Sequence, residues 1–310
     1  MGIKQDLSTY FNDHSFTKRA RATAAREFEA MLDGVDERLS KVALHSLKRH
    51  HISFEDARGA SFCGATCKIK APFDSRKADT MWHEIGHAVD FIRANFIVDV
   101  DKSKSRYVPL NASSTVVLSG GKTLEATIRE ELKERGQWIY DEIIARLRRE
   151  ALDLIGDGVG DEYFRANEEL KRNAHNRRKY RIGQYNAFNM TKEERDRVVA
   201  EFRAHTLTIP EENALVDFIN RTNEAPEMRA FFKRYNTVMD AVSGIVDTKH
   251  VFPGHSRAYM KGNGFFGTEL FAGLFSSEAV GNELNHSTVS ELLPRSYAAY
   301  RELRDLIFAD

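Results

Sequence analysis

The feature that most constrains this chain is the five-residue segment HEIGH at positions 83–87, in which two histidines lie four residues apart. On an α-helix, residues four apart lie one turn above each other on the same face, so a helical segment would point the two imidazoles to one place. Asp74 and Ser75 are suitable N-caps for a helix that runs from about Arg76 to Phe96. The sequence therefore predicts that the motif lies on a helix.

Two imidazoles one turn apart have the geometry that a Zn²⁺ ion requires from two of its ligands. Glu84 flanks the same point, where a carboxylate can take a proton from a metal-acidified water and later pass it to a leaving amine. We therefore predict that His83 and His87 are metal ligands and that Glu84 is a general base. The alternative is a helix with two ordinary core or surface histidines.

A catalytic zinc site needs a third protein ligand, and the sequence offers three candidates. Asp90 lies one turn beyond His87, where a short carboxylate more naturally orients a ligating imidazole. His255 lies in a glycine-rich stretch at about 249–267. Glu269 follows Thr268, a possible N-cap, and opens the apolar segment ELFAGLF at 269–275. Position along the chain does not choose among the three.

Several segments together resemble the zincin domain of anthrax lethal factor and its relatives: HEIGHAVD at 83–90, a glycine-rich loop, and ELFA at 269–272. The segments GHSRAY at 254–259 and LPRSY at 293–297 resemble lethal-factor-like domains associated with some phage minor head proteins. The resemblance covers about 59–98 and 242–308. It implies one catalytic Zn²⁺, Glu269 as the third ligand, and Tyr259 as a hydrogen-bond donor to the oxyanion of the tetrahedral intermediate.

The segment before the motif alternates between apolar and polar residues from Ser61 to Ala71, which predicts one half-buried strand. In zincins, the edge strand before the catalytic helix commonly pairs with an extended substrate. The resemblance therefore implies Gly64 and Ala65 as substrate-binding positions. Cys63 and Cys67 lie on the apolar side of this strand, and we interpret both as packing residues.

Helical periodicity dominates the rest of the chain. It predicts two helices between Ser8 and His51, a long helix from Glu125 to about Ile155, and two final helices, from near Thr268 and over Arg295–Phe308. The polar stretch at 102–121 is typical of a linker or flap. We expect an α+β, predominantly helical fold, in which residues 1–101 and 241–310 form a zincin core with a small sheet and residues 102–240 form a large helical insertion.

Charge and hydropathy restrict the partners. The 46 basic and 46 acidic residues cancel, so no overall field favours nucleic acid or an anionic membrane. We interpret the basic cluster between Lys171 and Arg181 as a solvated helix face, and nucleic acid is not an expected partner. No stretch has the length of a membrane span, and the N-terminus lacks the apolar core of a signal peptide. We expect a cytoplasmic protein of a bacterial host or a virion-associated protein.

The motif and the resemblance together predict a zinc metallopeptidase with a protein or peptide substrate. A phage-encoded protein and a toxin or effector, with a virion or host protein as partner, are the classes that the resemblance suggests, and a housekeeping protease stays open. The alternative is a non-catalytic phage structural or binding protein that keeps zinc only for stability.

Overall fold

The computed structural model describes residues 2–17, 21–91, 113–156, 226–246, 255, 257–260 and 265–309. The described residues are mostly helical and include one small sheet, which confirms the predicted α+β, predominantly helical class. The chain divides into two compact units. The first comprises 1–136, 234–247 and 254–310, and the second 137–233 and 248–253. Much of 102–240, including the basic cluster, lies outside the described residues, so the helical insertion stays a prediction.

The N-terminal region forms three helices, α1 (Ile3–His14), α2 (Arg21–Met31) and α3 (Glu37–Arg49). The prediction of two helices was wrong because a short strand, β1 (Ser15–Phe16), separates α1 from α2. Gly34, with a φ of +77°, lies between α2 and α3. The carboxylate of Asp36 then accepts the backbone N–H of Arg38 and caps α3.

One sheet has the strand order β1-β2-β4-β3, with β2 (Ser53–Asp56), β3 (Ser61–Cys63) and β4 (Lys68–Ala71). Strand β2 pairs in parallel with β1 and β4, whereas β3 pairs antiparallel with β4. The single strand predicted from Ser61 to Ala71 is therefore wrong. A 3₁₀ turn at Gly64–Thr66 and the left-handed backbone of Cys67, at φ 49°, reverse the chain there.

Four phenylalanines pack α1 and α2 against this sheet. Phe11 stacks on Phe28 with ring centroids 4.0 Å apart, and it also contacts Phe54 of β2 and Phe73 beyond β4 at 5.0 and 4.9 Å. All four side chains are buried. Burial of each such side chain stabilises the fold by about 1.5–3 kcal/mol, so this cluster anchors the end of β4 from which the next helix starts.

Helix α4 (Ala78–Asp90) carries the HEIGH motif. It follows a 3₁₀ turn at Ser75–Lys77 that is capped by Asp74, and it ends at Asp90 rather than at Phe96 as predicted. The buried Trp82 donates its indole N–H to the carbonyl oxygen of Met31 at 3.1 Å. This bond and the burial around it fix the rotation of α4.

Six further helices follow in the described residues: α5 (Leu124–Gly156), α6 (Pro226–Ser243), α7 (Arg257–Met260), α8 (Phe265–Ala279), α9 (Glu283–Leu292) and α10 (Pro294–Phe308). The predicted long helix and the predicted last helix are confirmed as α5 and α10. Helix α9 was missed. Helix α8 starts before Thr268, which therefore lies inside the helix and is not its N-cap.

Helix α8 is apolar on most of its sides and is packed directly against α4. The two helices approach each other closely at Gly86 and Ala272, where a Cβ on Gly86 would lie only 2.9 Å from the Cα of Ala272. Glycine permits this approach because it has no side chain. Glu269 lies about one turn before Ala272 on α8 and thus comes next to the histidines of α4.

Within the described ranges, no helix has both the length and the apolar character that crossing a membrane requires.

Candidate metal centre

His83 and His87 of α4 and Glu269 of α8 bring three potential ligand atoms to one point. His83 Nε2 lies 3.1 Å from both His87 Nε2 and Glu269 Oε2, and His87 Nε2 lies 3.4 Å from the same carboxylate oxygen. A tetrahedral zinc ion with bonds of about 2.0–2.2 Å has ligand atoms about 3.3–3.6 Å apart. The distances between the three atoms therefore lie within about 0.2 Å of those between three corners of such a tetrahedron.

The cluster is buried on one side and open on the other. The Glu269 side chain is 3% exposed and that of His87 is 10% exposed, whereas the His83 side chain keeps 25% of its surface accessible. Solvent can thus reach the cluster from the His83 side. A catalytic zinc site requires such an open position for water or substrate.

The charges of the cluster favour an ionised carboxylate. Burial by itself would raise the pKa of Glu269, but the neighbouring His87 and His83 lower that pKa far below its usual range. Burial likewise opposes a charge on His87, yet Glu269 raises the pKa of this imidazole. Zinc binding requires an ionised carboxylate and neutral imidazoles, so an ion at this point would take the place of the imidazole proton.

Glu84 lies beside the cluster on α4 and is 6% exposed. Burial raises the pKa of Glu84, while the nearby His87 and His83 oppose this shift. A carboxylate with a raised pKa is a stronger base than an exposed one, which suits a group that must accept a proton from water and return it.

Tyr259 of α7 and His255 also reach the cluster. The Tyr259 hydroxyl donates a hydrogen bond to Glu269 Oε1 at 2.8 Å, and its ring stacks on His255 with centroids 4.2 Å apart. Burial and the Glu269 charge both raise the pKa of Tyr259, so the phenol stays a hydrogen-bond donor. His255 Nδ1 lies 3.7 Å from Glu269 Oε2 and 3.1 Å from Asp240 Oδ2.

Asp90 is fully buried and is not part of the candidate ligand group. Its carboxylate accepts the backbone N–H of Ser114 at 2.8 Å and the Ser114 hydroxyl at 2.9 Å. Burial raises the pKa of Asp90 to about 6, although the bonds from Ser114 and a further bond from Thr268 lower it. Within the described part of the chain, the hydrogen bonds to Asp90 come from Ser114 and from Thr268, the residue before Glu269, and none comes from a histidine.

The predicted placement of Gly64 and Ala65 on an edge strand is wrong, because both residues lie in the 3₁₀ turn between β3 and β4. Substrate binding at these two residues stays a prediction. The carbonyl oxygen of Gly64 already accepts the backbone N–H of Cys67 at 3.2 Å. Strand addition needs an extended backbone with free peptide groups. In the described sheet the edge strands are β1 and β3, and β3 ends at Cys63, before Gly64.

Sequence reasoning missed two residues that surround the cluster, Asp240 and Ser114. Asp240 interrupts the otherwise apolar segment VMDAV at 238–242, and an acidic residue in such a segment is a usable signal for a buried polar contact. Ser114 is one of several serines in a polar stretch, and nothing in that stretch distinguishes it.

Comparisons with protein-family models, curated proteins and solved structures found no significant match to this chain.

Proposed function

We propose that this protein is a zinc-dependent metallopeptidase that hydrolyses peptide bonds in a protein or peptide substrate. One observation carries the proposal: the potential ligand atoms of His83, His87 and Glu269 lie 3.1–3.4 Å apart. Such convergence of residues 186 positions apart matches a tetrahedral zinc site. The resemblance to lethal-factor-like zincins selects the same three residues.

The chain's own residues divide the work of hydrolysis. A bound zinc ion supplies Lewis acidity, which acidifies a water molecule and polarises the scissile carbonyl. Glu84 accepts the proton of the attacking water and delivers it to the amine that leaves. The Tyr259 hydroxyl donates its one hydrogen to Glu269 Oε1, and it would have to turn from this carboxylate to donate to the developing oxyanion.

A purely structural zinc site is the competing function. Structural sites are usually closed by four protein ligands, whereas catalytic sites keep one position for water. Here a three-residue ligand set opens to solvent at His83, and a buried carboxylate with a raised pKa lies beside it. These features favour catalysis. By resemblance, the substrate belongs to a phage virion or to a host cell that a toxin or effector attacks.

The test compares the wild type with Glu84→Gln. We expect the variant to retain zinc and to cleave peptides about 10²–10⁴-fold more slowly, because it loses the general base but none of the ligands. Elemental analysis measures the zinc, and a peptide library measures cleavage. Glu37→Gln, the same exchange at an exposed position of α3, should change neither. Cleavage by Glu84→Gln at the wild-type rate contradicts the proposed role.

A further inference from the structure

A second group of potential ligands lies beside the first and is formed by Asp240 of α6, His255 and Glu269. Their donor atoms all lie within 4.8 Å of one another. His255 Nδ1 is 3.1 Å from Asp240 Oδ2 and 3.7 Å from Glu269 Oε2. Around an octahedral ion with bonds of about 2.1 Å, neighbouring ligand atoms are about 3.0 Å apart and opposite ones about 4.2 Å. Small side-chain rotations are enough to meet these distances.

The orientation of His255 is fixed by two contacts. Its ring stacks on Tyr259 at an interplanar angle of 17°, and its backbone N–H donates to Asp240 Oδ1 at 2.6 Å. Together they direct the Nδ1 edge of the ring toward the two carboxylates. Little conformational entropy remains to be lost when an ion binds there.

Two largely buried carboxylates meet at the His255 imidazole. The side chains of Asp240 and Glu269 are 13% and 3% exposed, and an oxygen of each lies within 3.7 Å of His255 Nδ1. Burial of a carboxylate charge is costly unless a cation or hydrogen bonds offset it. A cation beside Asp240 would offset the charge of these two carboxylates.

We propose that Asp240, His255 and Glu269 form a second site for a divalent cation, and that Glu269 is shared between the two sites. The inference rests on the proposed function only in that Glu269 also binds the first ion. Shared ligands are compatible with two-metal centres, in which the ions lie about 3.5–4 Å apart. One nitrogen and two oxygen donors suit Zn²⁺ or Mn²⁺.

The second site binds its ion more weakly than the first. An ion there must replace the contact between His255 Nδ1 and the Asp240 carboxylate, and it must displace the shared proton into solvent. Its occupancy therefore depends on the free metal concentration.

Equilibrium dialysis of the full chain against stepped concentrations of free Zn²⁺, followed by elemental analysis, tests the proposal. The wild type should bind zinc in a tight step and a weaker step. Asp240→Asn and His255→Ala should each lose one zinc per chain in the weaker step and keep the tight one. Asp33→Asn is the matched control, since it is the same exchange at an exposed position. The comparison between variants is the readout because the chain has 11 histidines that can bind zinc elsewhere.

Equal zinc binding by Asp240→Asn, His255→Ala and the wild type at every concentration would overturn the proposal. Asp240 and His255 would then form only an ion pair. His255→Ala keeps the test decisive if Asp240→Asn does not fold, because the His255 side chain is 39% exposed and its loss affects packing little. Peptide cleavage on the same samples separates the two ideas. Two zinc steps without any wild-type cleavage contradict the proposed function alone, and cleavage with one step contradicts the second site alone.

Discussion

Glu269 is the residue on which the candidate site depends. One oxygen of its carboxylate faces both histidines of α4, and the other accepts the Tyr259 hydroxyl. Each oxygen therefore has its own partner, and the carboxylate is held in one orientation. Ligands that are already held in position bind an ion more tightly, because they lose less conformational entropy on binding.

Loss of this carboxylate should weaken zinc binding strongly. Removal of an outer hydrogen-bond partner of a metal ligand lowers metal affinity by about 10–100-fold. We expect Glu269→Ala to lower zinc affinity by more than this, because the substitution removes a ligand itself. Elemental analysis after dialysis measures the effect. Glu283→Ala, at an exposed position of α9, is the control and should keep its zinc. Wild-type zinc content in Glu269→Ala contradicts the assignment of this ligand.

Ser114 and Ser119 each donate two hydrogen bonds to one carboxylate, Ser114 in a buried contact and Ser119 in an exposed one. Ser114 donates its N–H and hydroxyl to the buried Asp90, and the exposed Ser119 donates the same two groups to the carboxylate of Glu302. We expect Ser114→Ala to lower the free energy of unfolding by about 1–3 kcal/mol, because a buried acceptor loses a partner. Ser119→Ala should stay within about 0.5 kcal/mol. Urea denaturation compares the two, and equal effects would show that burial of Asp90 is not the cause.

At the scale of elements, the approach of α4 to α8 sets the distance between the histidines and Glu269. Gly86 meets the backbone of Ala272, whereas Gly136 of α5 has only side-chain neighbours at 3.7 Å or more. Both glycines are helical, and alanine is the better helix former by about 0.5–1 kcal/mol. Replacement by alanine at these two positions therefore distinguishes the effect of helix propensity on stability from the effect of helix packing.

Gly86→Ala should destabilise the protein by about 1–3 kcal/mol although alanine has the higher helix propensity, because the new methyl group must push two backbones apart. It should also weaken zinc binding, since His83 and Glu269 then separate. Gly136→Ala should be neutral or stabilising. Thermal denaturation and zinc content measure both effects. A stable Gly86→Ala variant with full zinc would show that the helices can separate without cost.

At the scale of the whole molecule, a zinc ion would link residues 186 positions apart in the sequence. Only the folded chain presents these ligands together, so a bound ion would stabilise the folded state by mass action. The stabilisation is about 2.7 kcal/mol when free zinc is about 100 times Kd.

Removal of zinc by a chelator should therefore lower the Tm of the wild type. Glu84→Gln should show the same decrease, because Glu84 is not among the proposed ligands. The decrease should largely disappear in Glu269→Ala. Differential scanning calorimetry with and without chelator measures these shifts. An unchanged Tm in the wild type argues against a zinc link between α4 and α8.

The sequence by itself determined the local features of this protein. Helix formation depends on nearby residues, so the spacing of His83 and His87 was enough to place two imidazoles on one face, and apolar periodicity was enough to predict α5 and α10. The predicted helical class rests on the same local rules.

Only the tertiary structure decided the rest, because those features depend on contacts that spacing does not encode. Apolar and polar residues alternate without interruption from β3 to β4, so the sequence pattern did not reveal the 3₁₀ turn that contains Gly64. The meeting of His83 with Glu269 required the close packing of α4 on α8, and the pairing of Asp240 with His255 required α6 to lie beside the site. Which distant side chains converge is a property of packing, whereas which residues share a helix face is a property of the local backbone.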